Sequence, residues 1–133
     1  MNTVSAYDAR RFEEVFEPVV AVTPGIRRRV RGLLVLWKVG DELIEDTLLV
    51  VEELIANVID HARTPFRLSV QCRRSEVQIR VRDGSTRLPR AGSLEPAAIR
   101  GRGLRLVQAL SQRWGWENEE NGKTVWATLA VPA

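Results

Sequence analysis

Apolar positions recur along this chain with two distinct periods. Ile26, Val30, Leu33, Leu34 and Trp37 follow one another at spacings of three and four, the stripe of an amphipathic helix. Thr23 as N-cap and Pro24 at the first helical position predict where it starts, and Gly40 where it ends. Asp41 is then placed to cap a second helix, "DELIEDTLLVVEELIANVIDHA". Its buried side is expected at Leu43, Thr47, Val50, Val51, Leu54, Val58 and Ile59, and Pro65 stops it. Beyond Pro65 the period falls to two. Phe66, Leu68, Val70 and Cys72 share one face of a strand, and Val77, Ile79 and Val81 share one face of the next. The short polar link between them predicts an antiparallel hairpin.

The remaining segments are less regular. "RRFEEVFEPVVAV", interrupted by Pro18, reads as irregular chain or an edge strand. Residues 84–100 hold two prolines and two glycines in a long loop, the kind that often serves as a lid or stays disordered. "GRGLRLVQALSQRWG" predicts a glycine-led helix bounded by Gly115, and "GKTVWATLAV" a strand after a turn at Asn121-Gly122. Helices early and strands paired as hairpins predict an α+β fold, a two-layer sandwich.

Length and composition narrow the setting. The 133 residues predict one domain over 1–133, with residues 1–12 candidates for disorder. No stretch approaches the roughly 18 apolar residues of a membrane-spanning helix, and "MNTVSAYDAR" lacks the pattern of an export signal. A cytoplasmic protein with no membrane contact is expected. Cys72 is the single cysteine, which excludes an internal disulfide and a cysteine-built metal site. The net charge is +3, with arginine supplying 18 of the 20 basic residues. These charges are spread along the chain, and the densest cluster is "RRRVR", Arg27 to Arg31. That dispersion favours a solvated or partner-facing surface over direct nucleic-acid binding.

Three segments carry candidate chemistry. Glu53 and Asn57 stand four apart and share a helix face. A carboxylate and an amide oxygen so placed can orient water and complete a Mg²⁺ shell, or they can be a solvated helix edge. His61, one turn on, reads as a helix-terminal packing residue. Asp83 ends a strand where it could accept a hydrogen bond from the amino group of a base, with Gly84 leaving room beside it. Asp-Gly is equally a common turn pair. "GRGL", Gly101 to Leu104, opens a helix, where backbone amides and the helix terminus favour an anion such as phosphate, or simply a flexible start. Neither a dinucleotide fingerprint nor a P-loop is present.

Taken in order, these segments resemble the histidine-kinase-like ATPases. "EELIANVIDHA" is similar to that family's N box, "DGS" to its first glycine box and "GRGLRLV" to its second. "GKTVWATL" resembles the closing strand of the short bacterial members, the anti-sigma factor serine/threonine kinase group. The resemblance spans roughly residues 20 to 131. It implies a Bergerat-type ATP pocket between helices and a mixed, mostly antiparallel sheet covered by helices on one face. By motif position, Glu53 is implied as catalytic base and Asn57 as the Mg²⁺ ligand. Asp83 is implied to read adenine, with Gly84 and Ser85 beside it, and Thr124 to join it from the last strand. Gly101, Gly103 and Leu104 are implied at the phosphates, and residues 84–100 as the lid. One departure stands out: where the family reads D-x-G-x-G, this chain has Ser85 and Arg87 at the two glycine positions.

The resemblance further implies an ATP·Mg²⁺-dependent kinase that holds a sigma factor or other transcription regulator and phosphorylates an antagonist protein on serine. A nucleotide-gated interaction module without kinase activity is the alternative. The Arg27–Arg31 helix is the expected partner surface, and the N-terminal segment with the first helix the expected interface of a homodimer.

Overall fold

A computed structural model of the chain describes residues 10–74, 76–85 and 104–130. Strand β1 (Arg11–Phe16) is followed by helices α1 (Thr23–Leu36) and α2 (Asp41–Asn57), then strands β2 (Phe66–Arg73) and β3 (Glu76–Asp83). Helix α3 occupies residues 104–110 and precedes β4 (Arg113–Glu119) and β5 (Gly122–Ala130). The strands form one sheet in the order β1-β2-β3-β5-β4. Every pairing among the described residues is antiparallel, where the resemblance implied a mixed, mostly antiparallel sheet. The chain leaves β3, builds the edge strand β4 and turns back, which inserts β5 antiparallel beside β3.

Strand alternation sets the two faces. Phe66, Leu68 and Val70 of β2, Val77, Ile79 and Val81 of β3, and Ala127 and Leu129 of β5 point inward and are buried. Helix α2 lies over β3 and β5 and packs against α1. Because it is covered on both sides, its buried surface is wider than the predicted stripe and takes in Ile44, Leu48 and Ile55. The opposite face of the sheet carries ion pairs instead: Arg67–Glu13, Arg80–Glu117, Arg82–Glu119 and Arg113–Glu76. Such exposed pairs add little stability but keep that face solvated.

Four boundaries differ from the sequence reading, the first at Asp41, expected as a cap but the first residue of α2 with Gly40 as its N-cap. Thr23 is the first residue of α1 and not its cap; a 3₁₀ turn, Val20–Val22, runs directly into the helix. Helix α1 ends at Leu36, four residues before Gly40, because Lys38 takes the left-handed conformation (φ 65°). The Val39 amide then donates to the Leu34 carbonyl (3.0 Å) and the Lys38 amide to that of Val35 (2.9 Å), a Schellman closure. Finally, the helix before Gly115 stops at residue 110. Gly115 is a strand residue covered by the Trp126 indole, where an added Cβ would lie 3.0 Å from the ring.

Candidate functional site

Asp83 continues the inward series Val77, Ile79, Val81 at the end of β3, and its side chain is only 2% exposed. A carboxylate in such a place needs partners. The residue paired with it across β5 is Lys123, which begins the inward series of that strand ahead of Val125, Ala127 and Leu129. Its Nζ donates to both carboxylate oxygens, at 3.1 Å to Oδ1 and 2.9 Å to Oδ2. The Ser85 amide donates to Oδ1 at 2.8 Å, closing an Asx turn. Gly122 makes the close strand approach available, because a Cβ there would overlap the Asp83 carbonyl oxygen.

Thr124 does not join this group. Side chains alternate along β5, so Thr124 points to the face opposite Asp83. There its hydroxyl donates to Glu119 Oε2 at 2.8 Å, while Arg82 holds Oε1 of the same carboxylate at 2.5 Å. These hydrogen bonds, Thr124 first and Arg82 second, hold Glu119 below the usual carboxylate range. The residue that meets Asp83 from the last strand is therefore Lys123, which the motif comparison passed over. A signal was available: a lysine at an inward position of an alternating strand requires an acid opposite.

Gly84 is likewise committed within the fold. Its amide donates to Thr64 Oγ1 at 2.8 Å, and Thr64 in turn donates to the Pro65 carbonyl at 3.1 Å. A Cβ at Gly84 would meet Thr64 at an ordinary 3.5 Å, so the open space expected beside it is not required by this backbone. The bond ties the end of β3 to the segment leaving α2.

Glu53 and Asn57 occupy the last two turns of α2, both half-buried. Neither has a hydrogen-bond or ion-pair partner among the described residues. The helix does not stop at Asn57 but widens into a π turn, Val58–Ala62, and ends where Arg63 takes the left-handed conformation (φ 56°). Such π turns recur at functional sites, because the extra residue re-aims the side chains around it. Here the turn borders a cleft of about 400 Å³ lined by Asp60, His61, Ala62, Arg63 and Ser85. His61, expected as a helix-terminal packing residue, is exposed and lines the cleft wall. The cleft brings the end of α2 to the loop leaving β3. Leu104 is the first described residue of helix α3 and is half-buried, whereas Gly101, Gly103 and residues 86–100 of the expected lid lie outside the described residues.

Three arginines of the α1 cluster form ion pairs at the surface. Arg27 pairs with Glu52, Arg29 with Glu14 (2.6 Å) and Arg31 with Glu45 (2.5 Å). These exposed pairs link α1 to α2 and β1, and the arginines remain at the surface expected to meet a partner. No group of three or more His, Cys, Asp or Glu among the described residues could hold a metal ion by itself. None of their helices is long and apolar enough to cross a membrane.

An antiparallel sheet with helices on one face, and a polar cleft where the second helix ends beside the third strand, make this a two-layer α+β domain. The histidine kinase-like ATPase domain matches residues 16–129, and the chain belongs to that family. In three dimensions it is similar to a crystal structure of the RsbU and RsbW domains of Rv1364c from Mycobacterium tuberculosis. The TM-score is 0.69 at 16% identity, over 92% of this chain and 33% of that one. At that identity the likeness is one of fold, and the present chain spans about a third of the larger one. No curated protein matches the sequence.

Proposed function

We propose that the chain is an ATP·Mg²⁺-binding regulatory protein of the anti-sigma factor and serine kinase type. Its main support is the inward carboxylate Asp83 at the end of β3 together with Glu53 and Asn57, on the helix packed over that strand, which have no hydrogen-bond or ion-pair partner among the described residues. Membership of the histidine kinase-like ATPase family and the fold shared with an RsbW domain agree with it. In this scheme Asp83 faces the adenine amino group, with Gly84 and Ser85 alongside, and Gly101, Gly103 and Leu104 lie at the phosphates.

The Asn57 amide oxygen, half-buried and without a partner among the described residues, suits a cation that takes one or two protein oxygens and completes its shell with phosphate and water. Asn57 would hold Mg²⁺, which when bound neutralises charge on the phosphates. Glu53 takes the proton from the hydroxyl of an antagonist protein's serine. The serine oxygen bonds to the γ-phosphorus, the bond to the β,γ-bridging oxygen breaks, and ADP leaves. The protein held by the chain is a sigma factor or another transcription regulator in the cytoplasm. A homodimer through the N-terminal strand and α1 belongs to the same proposal, and sedimentation equilibrium giving one monomer mass would remove it.

A second reading, a nucleotide-gated interaction module without kinase activity, is favoured by the Lys123 ammonium on Asp83 and by Ser85 in place of a glycine. Incubation with labelled ATP and a candidate antagonist separates the two. Kinase activity predicts label on serine that Glu53→Gln abolishes while nucleotide binding persists. Label that survives Glu53→Gln removes Glu53 as the base, and no label with intact binding leaves the module.

A further inference from the structure

We propose that Lys123 is the residue that sets nucleotide affinity at the base site, because its ammonium competes with the purine for Asp83. The inference rests on the nucleotide reading above and concerns the same carboxylate. Lysine is rare in this chain: the other 18 basic residues apart from Lys38 and Lys123 are arginines. Lys38 is exposed, whereas Lys123 is 9% exposed and sits with its Nζ on both oxygens of Asp83.

The competition follows from hydrogen-bond capacity. A carboxylate has about four acceptor directions. Two contacts from Nζ and one from the Ser85 amide already use three of them, and the group is 2% exposed. A purine amino group is a neutral donor, and a charge-assisted contact is roughly twice as strong as a neutral one. The base therefore reaches Asp83 fully only when the ammonium swings away. A binding-competent form populated about a tenth of the time weakens apparent affinity about tenfold.

The chain geometry fixes lysine in this role. Gly122 brings β5 against the Asp83 carbonyl, and the register Asp83↔Lys123 places the side chain on the inner face. Threonine at the same position keeps a β-branched strand former and leaves the carboxylate to the base.

The test is titration calorimetry of the full chain with ATP·Mg²⁺, comparing wild type, Lys123→Thr and Asp83→Asn, with circular dichroism confirming the fold of each. Lys123→Thr is expected to bind about tenfold more tightly than wild type and Asp83→Asn more weakly than either. Equal or weaker binding by a folded Lys123→Thr, with wild type still binding, overturns the competition and leaves the nucleotide reading intact. Absence of binding in all three overturns both. Should Lys123→Thr not fold, the NMR signal of the Lys123 ammonium in wild type decides the matter. Protection lost on saturation with ATP·Mg²⁺ supports displacement, and protection retained overturns it.

Discussion

Asp83 and Lys123 illustrate how much a single position can say when parity is followed to the strand ends. Val77, Ile79, Val81 and Asp83 are one inward series, and Lys123, Val125, Ala127 and Leu129 are the one beside it. Both series end in a charge of opposite sign, and burial forces the two together. The acid was legible in the sequence as a candidate base reader, but its partner was not, because the motif pointed to Thr124 one residue on. A shift of one residue in a strand exchanges the faces, which is why Thr124 serves Glu119 instead. That contact has a pH signature. Glu119 sits below its ordinary value in the folded chain, so its stabilising contribution is complete at neutral pH and fades as the pH falls through the lowered value. Urea unfolding of wild type and Glu119→Gln should therefore differ most at neutral pH and converge in acid. A gap that grows on acidification would contradict the assignment.

At the scale of elements, the two periods in the sequence located both long helices and the central hairpin. Residues 41–62 are helical throughout, as the single apolar stripe predicted, yet the switch to a π turn at Val58–Ala62 leaves no mark in composition. The stripe also underestimated the burial of α2, since periodicity reports one apolar face while this helix meets the sheet on one side and α1 on another. Leu48, outside the predicted set, is fully buried. Leu48→Ala should cost about 2–5 kcal/mol through lost burial and the cavity left behind. Urea denaturation would measure it, and a loss below about 1 kcal/mol would place Leu48 at a surface. Helix α3 was expected to reach Gly115, but a glycine under an indole and a glycine at a helix end look alike in sequence.

In the whole molecule the two faces of the sheet are assigned different work. The inner face carries the core and, at its open end, the Asp83–Lys123 pair. The outer face carries paired arginines and glutamates, which place four of the 20 basic residues in ion pairs. Fold and family were legible because several separated segments had to agree in order, whereas the partner of Asp83 was not, because it depends on contacts between β3 and β5. The central claim is that this end of the sheet receives an adenine nucleotide against Asp83. Titration calorimetry of the full chain with ATP·Mg²⁺ addresses it most directly. The account predicts saturable association that Asp83→Asn weakens at least tenfold, about 1.4 kcal/mol. Absence of association at millimolar ATP, or an Asp83→Asn chain that binds as well as wild type, would contradict it.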